Sequence, residues 1–528
     1  MSTQKPVQSD PDIMKKCKLN YLNKEYEVYE GTLLSEFMLK SGIEVEKPCG
    51  GMGRCGKCRV RFLSGAPKAN SLDVRFLSEK EIAEGIRLAC RAVIAEDAEI
   101  ESFYGSEELA GNLSDDVENR PDYRDCETDV ALDIGTTTIA AALIPVKNGG
   151  DADKAVYRVT IMNHQRRYGA DVISRIQAAN AGEGENLRRA VIEDIKSITK
   201  NLNIRQMMIA GNTTMQHILM GDSCEGLGKA PYTPVRLSYP VMDMTQLLGD
   251  KEAYRQESKC ILAPGISAFV GADIVSGMYA LSFDKIPEGK KYMLIDLGTN
   301  GEMALADSEK ISVCSTAAGP VFEGGGISCG MAGVKGAIEH ITIKDNAEAE
   351  FDVISGAEPL GICGSGVLEL VSELRRTGII DETGLLGDEF FDEGFILYKD
   401  EKSSENISFT QNDIRAVQLA KAAIRSGIDT LLQMHGCRAE DVDKVYLAGG
   451  FSEHLDTQKV KYLRLLPEEF LEQSVTECVG NTSLAGCIKA LSDKNSLEKM
   501  EKIVRKSAEI KLAETDVFGD DFIEAMNF

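Results

Sequence analysis

The stretch CGGMGRCGKC, residues 49–58, places three cysteines and four glycines in ten positions. Cys49, Cys55 and Cys58 follow the spacing C-x5-C-x2-C, and Cys90 stands 32 positions beyond Cys58. Thiolates are soft ligands, and four of them suit either a [2Fe-2S] cluster or a tetrahedral Zn2+. Zinc sites usually pair two CxxC knuckles, whereas here three ligands share one loop and the fourth stands alone. The spacing therefore favours the cluster. Glycines at 50, 51, 53 and 56 let the backbone wrap closely and aim N–H groups at sulfur, which stabilises the reduced, more negative state.

A second chemistry is written twice. In DVALDIGTTTIAAALI, residues 129–144, an apolar strand delivers Asp133 to a turn and a second strand follows; KYMLIDLGTNGEMALAD, residues 291–307, repeats the plan with Asp296. Turn amides and threonine hydroxyls can donate to phosphate oxygens, while the carboxylates hold Mg2+ directly or through water. One such turn is weak evidence; two copies about 163 residues apart point to a pair of similar halves. A third element, KVYLAGGFSEH, ends a strand at Gly449 and Gly450, where a flat ring or a ribose can come close. Two glycine-rich runs, GPVFEGGGISCGMAGV with its one acid Glu323 and GICGSGVLELV, fit either a ligand-approaching loop and an anion-binding helix start or plain structural turns.

These residues need elements to hold them. KCKLNYLNKEYEVYEG reads as a hairpin, TLLSEFMLKSGI as an amphipathic helix and GKCRVRFLSG as a strand, the parts of a small β-grasp domain over residues 15–103. A tail (1–14) precedes it, and a polar, acidic linker (104–127) follows. Beyond lie two α/β halves, 128–290 and 291–528. Residues 203–221 read as strand, loop, helix; 261–281 as a strand with a glycine-rich opening to a helix; 409–436 as a long amphipathic helix with a Thr or Asn cap and a Gly stop. Ala508, Ile510 and Leu512 alternate as a strand before a short terminal helix.

Composition narrows the partners. A net charge of −25 over 528 residues repels nucleic-acid backbones and anionic lipid surfaces. No run approaches a membrane span, and MSTQKPVQSDPD lacks the pattern of a signal peptide, so a cytoplasmic location is expected. The other ten of the 14 cysteines, Cys329 and Cys363 among them, are scattered as buried thiols of a reducing compartment would be. His164, His217, His340, His435 and His454 show no metal or triad spacing. Arg54, Lys57, Arg59 and Arg61 make the cluster region locally basic, either as a solvated strand face or as a docking surface for an acidic electron partner.

The cysteine spacing is one residue longer in its first gap than the plant-type C-x4-C-x2-C, and residues 15–103 resemble ferredoxins of the adrenodoxin and putidaredoxin type. The DIGTTT and DLGTNGE turns with the LAGG strand resemble the two phosphate loops and adenosine loop of the actin, sugar kinase and chaperone ATPase superfamily. That resemblance implies two ribonuclease-H-like halves closing on ATP. Taken whole, with GNTTM and GPVFEGGGIS in place, the chain resembles the reductive activators of corrinoid proteins. The family resemblance implies an ATP-hydrolysing electron-transfer enzyme that restores cobalt(I) from the inactive cobalt(II) corrinoid of a methyltransferase's carrier protein, in anaerobic metabolism. It implies that Cys49, Cys55, Cys58 and Cys90 hold the [2Fe-2S] cluster and that Asp133 and Asp296 organise Mg2+. Gly135, Thr136, Thr137, Thr138, Gly298, Thr299 and Asn300 would hold the phosphates of ATP, and Gly449 and Gly450 would flank the adenosine. For hydrolysis, Asp296 leads the candidates, with Glu302, Glu323 and Asp273 behind it. A low-potential donor would reload the cluster; monomer and homodimer both remain open. Two alternatives stand beside this reading: an ATP-dependent activator of another low-potential enzyme, and a redox-regulated small-molecule kinase or filament.

Overall fold

In the computed structural model, the described residues are 15–21, 24–41, 43, 45, 53, 58–102, 126–146, 156–249, 254, 257–331, 333–399, 406–449, 459–471 and 475–528. The expected tail, all but the last two residues of the linker, and Cys49, Cys55 and Gly450 lie outside them.

Alternating burial in KCKLNY makes one face of β1 (Lys16–Tyr21) a core face, and β2 (Lys24–Tyr29) returns against it as the expected hairpin. With β3 (Arg59–Ser64), β4 (Ile86–Leu88) and β5 (Ala98–Ser102) these form a sheet in the order β2-β1-β5-β3-β4. The helix Leu34–Lys40 lays Leu34, Phe37 and Met38 into its core. This is the ferredoxin-like first domain.

Two six-stranded sheets follow with matching plans. In the first, β6 (Glu127–Ile134), β7 (Thr138–Val146) and β8 (Tyr157–Met162) are antiparallel neighbours, and β9 (Asn203–Gly211) joins β6 in parallel. Two more strands, β10 (Met242–Asp243) and β11 (Lys259–Leu262), complete the order β10-β11-β9-β6-β7-β8. In the second, β12 (Tyr292–Leu297), β13 (Gly301–Ala306) and β14 (Ile311–Thr316) repeat the antiparallel trio. Two small sheets, formed by β15 (Ala337–Ile343), β16 (Ala349–Val353) and β17 (Gly361–Ile362), and by β18 (Phe395–Lys399) and β19 (Asn406–Phe409), branch from this half. Then β20 (Lys444–Ala448) joins β12 in parallel, β21 (Thr476–Gly480) joins β20 in parallel, and β22 (Ser507–Glu509) closes the far edge beside β14. Strands covered on both faces read as apolar runs, not as alternation; β6 and β12 do so until each ends near its aspartate. This is the actin-like ATPase fold.

The helices Ala272–Ala280 and Thr482–Ser492 cross between the sheets. A Cβ on Gly486 would stand 2.0 Å from the Ser276 carbonyl oxygen, and one on Gly277 would stand 2.6 Å from Thr482 Oγ1. The absence of side chains there is what lets the backbones touch, and Ser276 Oγ donates across the crossing to Ser483 O at 2.8 Å. The long helix Gln411–His435 has its Thr410 cap and Gly436 stop as expected. The expected C-terminal strand is cut short: β22 ends at Glu509, and Leu512 lies in a 3-10 turn with its side chain in the core of this half. Apolar burial there outweighs a longer edge strand.

Candidate functional sites

Cys58 enters β3 and Cys90 sits in the turn after β4, held because the Ala89 N–H donates to Cys58 O at 2.7 Å. The end of β4 is fixed by buried Asp73, which accepts from Leu88 N at 2.9 Å. Both thiols are buried. The hydrogen bond from Cys58 pulls Cys90 down to about 7, helped by the Arg91 guanidinium and opposed by burial. Two sulfurs in contact, one of them close to thiolate at neutral pH, fit half of a thiolate-ligated cluster. Gly53 has φ +73°, and a Cβ there would collide with Leu72 Cδ1 at 2.6 Å; the loop needs glycine at that point. The basic rim is partly cancelled: Arg59 pairs with Glu81, and Arg61 lies 3.8 and 3.9 Å from Glu84 and Glu101. Arg54 and Lys57 lie outside the described residues.

The first phosphate-type turn is shaped from behind. Gly135 O accepts from Asn163 Nδ2 at 2.8 Å, and Thr136 O accepts from the Arg175 guanidinium. Because each peptide is planar and trans, anchoring these carbonyls turns the N–H groups of Thr136 and Thr137 the other way. Arg175 is fully buried, also donating to Gly169 O at 2.9 Å, and burial lowers it to about 9. Asn212, the cap of helix Thr213–Met220, donates to Thr136 Oγ1 at 3.2 Å. Thr138 already belongs to β7, opposite Met162.

The second turn closes through Gly298 N donating to Asn300 O at 3.1 Å, and it sets Asp296 opposite Glu302 across β12 and β13. The two halves meet at acids. Asp133 accepts from Asn481 Nδ2 and Ser483 Oγ, each at 2.8 Å, at the start of helix Thr482–Ser492 in the second half. Glu323 accepts from Thr137 Oγ1 at 2.7 Å through one oxygen and from Thr299 Oγ1 at 3.1 Å through the other, so it spans both turns.

Burial raises Asp133, Asp273, Asp296 and Glu302 alike. Asp273 reaches about 7, with the Asp133 charge as the second cause, and Asp296 about 8, pushed further by Asp273, Asp133 and Glu323. Carboxylates that repel one another in a dry cleft suit a divalent cation. Among the described residues, no three acidic, cysteine or histidine side chains close tightly enough to ligate a metal directly. The acidic oxygen donors fit Mg2+, an ion that usually keeps several of its waters. Gly449, φ +112°, ends β20 so close to β12 that a Cβ would stand 2.4 Å from Leu297 O.

The structure thus gathers Asp133, Asp273, Asp296, Glu302, Glu323, Thr137 and Thr299 at one cleft. Asn163, Arg175, Asn481 and Ser483 were not singled out from the sequence; the one available signal was that GNTS at 480–483 echoes GNTT at 211–214 after a strand. Cys329 is no thiolate, since burial pushes it up to about 12. His217 and His435 are tied into the core, to Thr213 O and to Ser312 Oγ. Among the described residues, no helix is long and apolar enough to cross a membrane.

Residues 18–95 match the family described as 2Fe-2S iron-sulfur cluster binding domain. Residues 128–286 match the RACo middle region, and 290–528 the C-terminal domain of RACo, the ASKHA domain. The corrinoid activation enzyme RamQ of Eubacterium limosum is 30% identical over 427 residues, 75% of this chain and 69% of that protein. The [Co(II) methylated amine-specific corrinoid protein] reductase of Methanosarcina barkeri is 24% identical over 76% of each chain. A solved structure, a reductive activator for corrinoid, iron-sulfur protein, superposes with a TM-score of 0.68 at 27% identity, covering 97% of this chain and 98% of that one.

Proposed function

The chain belongs to the family of reductive activators of corrinoid proteins, and from that premise we propose that it uses ATP to return the cobalt(II) corrinoid of a methyltransferase's carrier protein to cobalt(I). The observation that carries the ATP half is the meeting of two Asp-x-Gly-Thr turns, one from each sheet, at a single acidic cleft bridged by Glu323. The cluster, when bound by Cys49, Cys55, Cys58 and Cys90, supplies a store for one electron. Cobalt(II) belongs to the partner and is the substrate. An upstream low-potential donor replaces the electron, and the many free thiols suit a reducing cytoplasm.

Energy decides why ATP is needed. Each 100 mV uphill costs one electron about 2.3 kcal/mol, and a cluster near the plant-type potential of about −400 mV needs help with acceptors of much lower potential. The residues supply that help by conformation. Thr136, Thr137 and Thr299, with the turn amides and Asn300, bind the phosphates. Asp133 and Asp296 orient hydrated Mg2+, and Asp296 or Glu302 takes the proton of the attacking water. Gly449 and Gly450 leave room for the adenosine. Closure of the two halves about the Gly277–Gly486 crossing then controls the hold on the partner.

The test is anaerobic. Enzymatically reduced protein, free of dithionite, is mixed with a cobalt(II) carrier, and cobalt(I) absorbance is followed with and without Mg-ATP. Cobalt(I) that forms only with ATP, with hydrolysis stimulated by the carrier, is the expected result. Hydrolysis that is equal with and without carrier, and no cobalt(I), would defeat the proposal.

A further inference from the structure

Thr137 and Thr299 each carry one hydroxyl proton, and both protons are given to Glu323. A hydroxyl donates only once. A phosphate that takes either proton breaks that threonine's bond to the carboxylate, and its own negative charge then drives the carboxylate from the shared space. Glu323 is well built for the position. It ends the 3-10 turn Pro320–Glu323, which Gly324 closes at φ +78°. The backbone behind it is packed against the start of helix Gly364–Arg376, where a Cβ on Gly364 would stand 1.8 Å from Phe322 O. Its oxygen Oε1 also lies 3.7 Å from where a Gly298 Cβ would be, directly over the second turn. The carboxylate is thus presented by a packed backbone at a point both turns reach.

We propose that Glu323 is a specificity-determining residue that stands in for the terminal phosphate: it holds the two turns together when the cleft lacks a triphosphate and is displaced when one binds. The inference rests on the ATPase reading above. On the ATPase reading the last phosphate of ATP takes the space between the turns that Glu323 fills, so ATP displaces Glu323 while ADP leaves it in place. The residue then makes nucleotide recognition report on the third phosphate and restores the bridge after phosphate leaves. This is a role in discrimination, distinct from that of a hydrolytic base, and it differs in what it predicts.

The experiment uses the full chain with Mg2+, and measures equilibrium binding of a non-hydrolysable ATP analogue and of ADP to wild type, Glu323→Ala and Glu323→Gln. Freed of its competitor, Glu323→Ala binds the triphosphate roughly tenfold more tightly, the size of a lost charged hydrogen bond, with ADP affinity unchanged. Glu323→Gln, whose amide can accept from only one threonine, falls between. Triphosphate affinity that is unchanged or weaker in Glu323→Ala overturns the proposal, as does equal tightening of both nucleotides, which would remove the terminal phosphate from the argument. Wild-type protein that binds neither nucleotide would instead defeat the ATPase reading itself, and the two failures are told apart by that first titration.

Discussion

Arg175 shows how much of a phosphate-type turn is shaped by a residue lying behind it. Its guanidinium holds Thr136 O and Gly169 O from a fully buried position. In Arg175→Met those carbonyls lose their donor, at about 1–3 kcal/mol for each buried group left unsatisfied. The expected outcome is a lower urea midpoint together with a raised KM for ATP. Asp296 gives a pH signature. Its native value near 8 lies far above the unfolded value of about 3.9, so between those limits the native state holds the extra proton. Metal-free protein should therefore lose stability as pH rises from about 4 to about 8. Asp296→Asn should unfold at a higher temperature than wild type at pH 8, with the gap closing toward pH 4, as followed by calorimetry.

At the scale of elements, the crossing of Ala272–Ala280 and Thr482–Ser492 joins the halves by close approach at Gly277 and Gly486, with Ser276 Oγ bonded across it. A branched residue at Gly486 would drive Cβ into Ser276 O, and overpacking of this kind costs about 1–3 kcal/mol. Gly486→Val should lower the melting temperature and reduce ATP turnover, because Asp133 takes its hydrogen bonds from the first turn of the same helix. Ala485→Ser, on the exposed side of that helix, should leave both unchanged. The strands, turns and long helix were legible from apolar runs, caps and glycine stops. The crossing was not, since Gly277 and Gly486 carry no periodic mark of the partner they will meet.

For the whole molecule, the electron site and the ATP site are separable. Cys90→Ser should lose the visible absorbance of the cluster and form no cobalt(I), while nucleotide binding stays at the wild-type level. Asp133→Asn should do the reverse, keeping the cluster spectrum and losing ATP-dependent reduction. A Cys90→Ser protein that still reduced cobalt(II) would remove the cluster from the electron path. Asp133 is also where the two halves touch, so its variant should be checked by calorimetry to separate lost chemistry from loosened closure.

The sequence alone determined the chemistry that travels with local pattern: the C-x5-C-x2-C loop, the two Asp-x-Gly-Thr turns, and the apolar strands that had to be covered on both faces. Residue type and short spacing are enough for that, because a turn or a strand end is decided within a few positions. Only the tertiary structure decided that Glu323 bridges both turns across 186 and 24 residues of chain, that Asp133 is held by Asn481 and Ser483 from 348 and 350 positions away, and that Arg59 is already paired with Glu81. Those contacts arise from how separate sheets pack, and a hydrogen bond between distant residues leaves no mark on the spacing of either.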